Sequence, residues 1–171
     1  MLPRGSRLHA SGDFRTTIRR GVRVGRPTLV LHVGPSGRDD VRVGMVVSKA
    51  VGNAVTRNRV KRRLRHLATA ELGRTPAGTY VVVRALPAAA TASGLEQDLA
   101  AAWATALRRM AADGRQVLCA THSPLLTALP GAHVLQVDGD GLTRVDWEDL
   151  AVVRDCRFFL DAPERYWRDL L

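Results

Sequence analysis

The spacing of apolar residues alternates between helical and strand-like patterns in the first two thirds of the chain. An apolar residue at every third or fourth position predicts a helix over about 12–20, with Ser11 as its N-cap. The β-branched runs 28–33 and 41–47 predict two strands. Because the segment 34–40 between them contains Gly, Pro and Asp, it predicts a hairpin loop.

A longer amphipathic pattern follows these strands. Helical spacing extends over 53–72, and after a strand at 79–83 it returns over about 94–112, where Ser93 and Glu96 form a capping box. The apolar stripes of the two helices consist of Val60, Leu64, Leu67 and Ala68 in the first and Leu95, Leu99, Trp103 and Leu107 in the second. The order α-β-β-α-β-α predicts an α+β fold, most simply a two-layer α/β sandwich in which helices pack on one sheet.

The last third of the chain predicts a separate α/β tail. Strands are expected at 116–121, 132–137 and 142–145, followed by helical segments. The last of these helices opens at Pro163, because proline is favoured in the first turn of a helix.

Basic and acidic residues are distributed unevenly, and this unevenness predicts a domain boundary. The chain has 26 Lys and Arg against 16 Asp and Glu, a net charge of +10. Residues 1–114 hold 20 of these cations and 7 of the acids, whereas residues 115–171 hold 6 and 9. We therefore predict a basic domain over 1–114 and an acidic extension over 115–171. The surplus charge favours a polyanionic partner, with nucleic acid ahead of an anionic membrane and an enzyme for acidic substrates less favoured.

Membrane insertion and secretion are not expected from the sequence. No apolar run approaches the roughly 20 residues that a spanning helix needs. The first six residues lack the apolar segment of a signal peptide. These patterns predict a cytoplasmic protein without a membrane partner.

A block of positive charge without acids lies in the middle of the basic domain. No carboxylate occurs between Asp40 and Glu71. The cations of residues 41–70 are Arg42, Lys49, Arg57, Arg59, Lys61, Arg62, Arg63 and Arg65. Solvent-exposed helix faces usually interleave Glu with Lys or Arg, since like charges at helical spacing repel by a few tenths of a kcal/mol. The uncompensated block therefore predicts a phosphate-binding surface, on the helix face opposite Val60 and Leu64.

A specific motif lies inside this block. Residues 48–65 read Ser48-Lys49-Ala50-Val51-Gly52-Asn53-Ala54-Val55-Thr56-Arg57-Asn58-Arg59-Val60-Lys61-Arg62-Arg63-Leu64-Arg65. They resemble without a gap the signature of the bacterial ribonuclease P protein subunit, Ser-Lys-x-x-Gly-Asn-Ala-Val-x-Arg-Asn-x-x-Lys-Arg-x-x-Arg. The resemblance covers about 1–112 and includes Asp13-Phe14 in the first helix and the strand Val81-Val-Val-Arg84.

The resemblance implies a fold and an activity. Proteins of this family have a small α/β sandwich related to ribosomal-protein folds, with a left-handed crossover between a strand and the motif helix. They pair with a large catalytic RNA, and together the two cut the 5′ leader from precursor tRNA. The catalytic RNA holds the Mg²⁺ ions, so the protein is expected to supply no nucleophile, no general base and no metal site of its own.

The resemblance also implies two sets of binding residues. The residues expected to contact the catalytic RNA are Arg57, Asn58, Lys61, Arg62 and Arg65, with Lys49 and Arg59 adding to the local positive field. A second surface is expected to hold the leader of the precursor tRNA as an extended single strand, through Phe14, Ile18 and His32. Relatives often carry aromatic residues at the positions of Ile18 and His32, so stacking on the leader is expected to be weaker here.

The tail resembles a different family. Residues 117–132, with His122 after a predicted strand, and residues 161–166 look like the C-terminal end of an ABC-type or RecF-like AAA ATPase, in which such a His senses the γ-phosphate. The sequence contains no Gly-x-x-x-x-Gly-Lys-Ser/Thr loop to bind that phosphate. We therefore expect no ATP binding and interpret 115–171 as an appended fragment without function.

Two other functions remain possible from the sequence alone. The basic helix and sheet would also suit a general structured-RNA-binding protein or RNA chaperone, and the tail could act as an interaction module for an ATPase. The first alternative predicts binding to any structured RNA, and the second predicts an ATPase partner. A nuclease that acts without RNA is disfavoured, because the basic block lacks the clustered carboxylates that two-metal catalysis needs.

Overall fold

The computed structural model describes residues 2–121, 123–139 and 141–170. The chain divides into two compact units, Met1–Ala120 and Thr121–Leu171. The division thus falls six residues after the boundary expected from charge. Residues 115–120 form no helix or strand, so the strand predicted at 116–121 is wrong. The apolar pattern there has another cause, because Val117 packs against the core of the first unit while Leu118 is 81% exposed.

The first unit is built on a four-stranded sheet with three helices. Its elements are α1 (Ser11–Arg20), β1 (Val22–Gly25), β2 (Leu29–Pro35), β3 (Arg42–Val46), α2 (Ala54–Leu72), β4 (Thr79–Ala85) and α3 (Leu95–Ala112). The strand order is β1-β2-β4-β3, in which β2 is antiparallel to β1 and β4, and β3 is parallel to β4. The α+β class predicted from the sequence is confirmed.

The predicted connectivity of the first strands is wrong. The sequence analysis missed β1, whose four residues are too few for a clear alternating pattern. The hairpin lies between β1 and β2, and segment 34–40 does not form one, because β4 occupies the place between β2 and β3. The apolar run of β4 explains this position, since Val81, Val82 and Val83 are each fully buried, as the central strand of a covered sheet requires.

Helices α2 and α3 cover one face of the sheet and bury their predicted stripes. Val60, Leu64 and Ala68 of α2 are buried and Leu67 is partly buried, while all four predicted positions of α3 are buried. The indole N–H of Trp103 in α3 donates to the hydroxyl of Thr75 at 2.9 Å, so the large ring enters the core without an unpaired donor. Helix α2 connects the parallel strands β3 and β4, and the left-handedness of this crossover stays a prediction.

Both helix caps expected from the sequence, at Ser11 and at Ser93, are wrong, and a third helix has a cap that the sequence analysis did not predict. Asn53 caps α2, since its side-chain oxygen accepts a hydrogen bond from the backbone N–H of Thr56 at 2.9 Å. Ser11 is instead the first helical residue of α1, and Ala10 precedes it as N-cap. The capping box at Ser93 does not form, because the chain passes through Gly94 before α3 begins.

The second unit contains four-residue strands and short helices. Its elements are α4 (Pro124–Thr127), β5 (Leu135–Asp138), β6 (Gly141–Arg144), α5 (Ala151–Asp161) and α6 (Pro163–Leu170), and β5 and β6 form an antiparallel pair. The start of the last helix at Pro163 is confirmed, and the two predicted strands are displaced by up to three residues. His122 lies outside the described residues. None of the helices in the described ranges is both long and apolar enough to cross a membrane.

Candidate RNA-binding surfaces

The start of α2 is held by an interlocking set of motif residues. Gly52 has φ of 142°, a backbone conformation that other residues rarely adopt, and it follows a short 3-10 turn at Lys49–Val51. Arg57, one turn into the helix, donates from Nη1 to the carbonyl oxygen of Gly52 at 2.7 Å. The Gly-Asn pair of the motif therefore determines where α2 begins. The hydrogen bond from Arg57 stabilises the turn at Gly52 against the first turn of the helix.

The residues predicted to contact the catalytic RNA lie together on α2 and the turn before it. Lys49, Asn58, Arg59 and Arg62 are exposed, and Arg57, Lys61 and Arg65 are partly exposed. In residues 2–120, the ion pairs join Arg42 to Asp40 and Arg74 to Glu71, and neither includes a cation of α2. The positive charge of α2 is thus uncompensated by the protein, and an external polyanion would relieve its repulsion.

A second candidate surface lies on the opposite face of the sheet, around Phe14. The ring of Phe14, in α1, is half-buried against a small cluster formed by Leu8, Tyr80 and Val82. It lies directly over Gly44 of β3, where a Cβ atom would overlap the ring. The glycine therefore permits the close approach of the ring to the sheet, and the part of the ring that is not buried remains available to a ligand.

Ile18 and His32 differ in what they offer to a ligand on this second surface. Ile18 is 39% exposed, one turn after Phe14. His32, in β2, is only 6% exposed, and its Nδ1 has no hydrogen-bond partner in the structure. Burial lowers the pKa of His32, and the positive charges of Arg23 and Arg84 lower it further, while a hydrogen bond with the backbone of Ile18 opposes them. His32 is therefore neutral at neutral pH and forms part of the floor of the surface.

Arg23 and Arg84 are candidate binding residues that the sequence analysis did not single out. Arg23 lies directly opposite His32 in the β1–β2 ladder, and Arg84 lies on β4, the other neighbour of β2. Both are exposed. Arg23 alternates with the buried Val24 in β1, whereas Arg84 is the one exposed residue of the otherwise buried strand β4. The alternation in β1 was the available signal for Arg23, and the one charged residue in the apolar strand β4 was the signal for Arg84. Together they place two cations beside the predicted leader residues.

The structure separates the predicted site residues into two groups. The basic residues belong to the helix layer, whereas Phe14, Ile18 and His32 lie on the outer face of the sheet with α1. In the parts of the chain that the structure covers, no three His, Cys, Asp or Glu residues come together as metal ligands. The arrangement can bind extended polyanions at two surfaces, and neither surface shows a nucleophile paired with a base.

The lowered pKa of His32 predicts a specific pH dependence of stability. Because the folded-state pKa lies below the unfolded value of about 6.5, the unfolded chain binds the proton more readily. The free energy of unfolding should therefore fall as pH decreases below 6.5, and it should fall less in a His32→Gln variant. Urea unfolding of both proteins at several pH values between 8 and 5 measures the difference. Parallel curves for the two proteins would contradict this prediction.

Comparisons with known proteins agree with this geometry. A family model described as Ribonuclease P matches residues 2–108, which lie wholly in the first unit. The ribonuclease P protein component of Kocuria rhizophila is 53% identical over 113 residues, covering 65% of this chain and 100% of the relative. That of a Nocardioides species is 56% identical over 99 residues, covering 56% and 85%.

Solved structures show the same likeness. The RNase P protein of Staphylococcus aureus is 27% identical, with a TM-score of 0.52, over 57% of this chain and 91% of that protein. Sequence and fold thus agree over the region that carries the uncompensated basic helix. The chain belongs to the ribonuclease P protein family.

Proposed function

We propose that this chain is the protein subunit of ribonuclease P, which binds the catalytic RNA and the 5′ leader of precursor tRNA and assists removal of the leader. The observation that carries the proposal is the acid-free basic face of α2, which bears the family motif on a helix start fixed by Gly52, Asn53 and Arg57. Its RNA partners are made in the cytoplasm, where we place this activity.

The protein's contribution is electrostatic and positional. Exposed arginines such as Arg62 place guanidinium groups where they can each bind two phosphate oxygens, which reduces the repulsion between RNA segments that must approach each other. We further propose that Mg²⁺ ions, held mainly by the catalytic RNA, supply the activation of water for cleavage. The protein supplies no catalytic side chain, and it holds the two RNAs in register.

The outer face of the sheet is proposed to hold the leader. The half-buried ring of Phe14 offers a surface for base stacking that does not depend on sequence, and Ile18 extends the apolar surface by one helical turn. The exposed cations Arg23 and Arg84 border the face and can attract the leader's phosphates. His32 contributes little surface, and it supports the strand beneath.

Reconstitution tests this proposal. The purified chain is added to the catalytic RNA at low magnesium, and 5′ processing of precursor tRNA is scored against the RNA alone. We expect the chain to accelerate correct cleavage. An unrelated structured RNA competes for binding in a parallel titration. Absence of stimulation would overturn the proposal, and equal affinity for the unrelated RNA would favour a general RNA-binding protein or chaperone.

The tail is proposed to be dispensable for this activity. We retain as a proposal that the region beyond residue 114 derives from the C-terminal end of an ATPase, with no bound ATP. The structure changes where a deletion should be made, because Val117 packs on the core of the first unit. Cys119 also lies near Glu71 and Arg74, and burial raises the pKa of its thiol.

Two deletions give a prediction. Removal of 121–171 should leave precursor processing unchanged or improved and the melting temperature of the first unit unchanged. Removal of 115–171 should lower the melting temperature, because it uncovers the site that Val117 fills. Thermal unfolding and the reconstituted processing assay measure both effects. A large loss of processing in the shorter deletion would contradict the dispensable role.

A further inference from the structure

The last two helices of the second unit carry an apolar surface that the unit itself does not cover. In the part of this unit that the structure describes, the buried apolar side chains are Leu150 and Val153. By contrast, Phe158 and Phe159 of α5 are each 37% exposed, and Trp167 of α6 is 53% exposed. A unit that leaves several aromatic side chains open to solvent has surface available for a partner.

The exposed aromatic rings form one continuous surface. The rings of Phe159 in α5 and Tyr166 in α6 meet edge to face, with 5.4 Å between their centres. Tyr166 also contacts Trp167 at 5.6 Å and Phe158 at 6.0 Å. Leu160, the next residue of α5, is 75% exposed. We call these five residues the aromatic patch. Because α5 and α6 pack on each other through its rings, the patch is formed before any partner binds.

The area of the aromatic patch suits an interface between two proteins. An aromatic side chain has about 150–250 Å² to bury, so the exposed fractions above leave roughly 400 Å² of apolar surface on the patch. Protein interfaces are about 60% apolar, and the patch would therefore form the apolar part of an interface of about 650 Å² on each partner. The total of about 1,300 Å² lies at the lower end of the range for specific complexes, so we expect a weak, concentration-dependent association.

The charges around the aromatic patch favour a second copy of this chain as the partner. Residues 151–171 contain four arginines and four acidic residues, so their net charge is zero, whereas residues 1–114 hold 20 cations and 7 acids. Arg165 lies over the ring of Phe158, with its guanidinium carbon 5.6 Å from the ring centre, and places a cation at the rim of the patch. RNA and anionic membranes attract surfaces with net positive charge. A second copy presents the same balanced set, in which opposite charges can face each other across a two-fold axis.

We propose that two copies of this chain associate through their aromatic patches, so that α5 and α6 of one copy pack against α5 and α6 of the other. In a two-fold interface of this kind, each residue near the axis faces its counterpart in the other copy. Cys156 is exposed and lies one turn before Leu160 on the same side of α5. The association therefore brings the two Cys156 thiols close together. It needs no RNA and is separate from the proposed function.

Sedimentation of the full chain without RNA tests the inference. Over a wide range of concentration, the wild type should shift from monomer to dimer. Leu160→Asp should raise the dissociation constant of the dimer by about 10-fold or more, because each copy then places a charge in the apolar centre of the interface. Leu118→Asp makes the same change at a leucine of the first unit that is 81% exposed, and it should associate like the wild type. A wild type that stays monomeric at every concentration, or equal weakening in both variants, would overturn the inference.

Cross-linking supplies a second test, which leaves the aromatic patch intact. In Cys119→Ser, Cys156 is the one remaining cysteine of the chain. A short bis-maleimide cross-linker should join two copies of this variant, and the addition of Leu160→Asp should abolish the product. Absence of the product at concentrations where the wild type sediments as a dimer would place the interface elsewhere and contradict the inference.

Sedimentation with phosphatidylglycerol vesicles examines the alternative partner. If the chain remains monomeric and binds the vesicles, and Leu160→Asp prevents that binding, a lipid surface covers the aromatic patch and the inference fails. Because none of these measurements contains RNA, such a failure leaves the proposed function untouched.

Discussion

Replacement of Lys61 and Arg65 by Glu is expected to lower the affinity of the chain for the catalytic RNA by about 100-fold or more. Charge-assisted hydrogen bonds contribute about 1.5–3 kcal/mol each, so the loss of two accounts for about a 100-fold change at the least. The new carboxylates add repulsion from phosphate. Both positions are partly exposed on α2, and neither has an ion-pair partner among the described residues, so the fold should tolerate the change.

The measurement is a filter-binding titration at several salt concentrations. In the wild type the logarithm of the association constant should fall steeply with the logarithm of salt, by about 0.7–0.9 for each phosphate contact. The variant should show a slope smaller by about two such contacts. Arg108→Glu/Arg115→Glu makes the same change in net charge outside α2 and serves as the control. Equal losses in the two variants would show that overall charge, and not the position on α2, determines binding.

The basic helix was predictable from sequence because two local signals agree there. Apolar residues at helical spacing place Val60 and Leu64 inside, and the absence of acids leaves the outer face cationic. Gly52 and Asn53 are adjacent in the sequence and together determine where α2 begins, so the start of this helix could also be predicted from local sequence. Local chemistry of this kind does not depend on which strands pair.

Strand order could not be obtained in the same way. The insertion of β4 between β2 and β3 depends on the total apolar area that each strand can bury, and no short window of sequence contains this information. The prediction that His32 binds the leader had the same weakness, because the burial of this residue could not be predicted from local sequence. A strand histidine can face solvent or lie buried, and its 6% exposure results from α1 packing over the sheet. Arg23 was not predicted as a binding residue because the sequence analysis did not identify β1, the strand on which it lies.

The leader surface depends on Phe14, and its replacement is expected to have the second large effect. Stacking of a base on an aromatic side chain contributes about 1–3 kcal/mol. Phe14→Ala should therefore reduce the affinity of the reconstituted holoenzyme for leader-bearing precursor by about 5- to 100-fold, with no change for mature tRNA. The ring is also half-buried against Leu8, Tyr80 and Val82, so the same variant should lose about 2–3 kcal/mol of stability.

Phe14→Leu separates these two consequences. Leucine fills much of the space above the small cluster, so its cost in stability should be below about 1.5 kcal/mol, but it offers no ring to a base. Fluorescence titrations with precursor and mature tRNA should show the same selective loss as for alanine. If Phe14→Leu binds the precursor as tightly as the wild type, the ring has only a packing role.

Gly44→Ala approaches the same question without removing the ring. A methyl group at this position overlaps the Phe14 ring, so the ring must move away from the sheet. Gly44 lies in β3 on the outer face of the sheet and is remote from the basic residues of α2, which pack on the other face. We expect weaker binding of the leader with unchanged affinity for the catalytic RNA. Loss of both affinities together would mean that the two surfaces are coupled through the sheet and do not act separately.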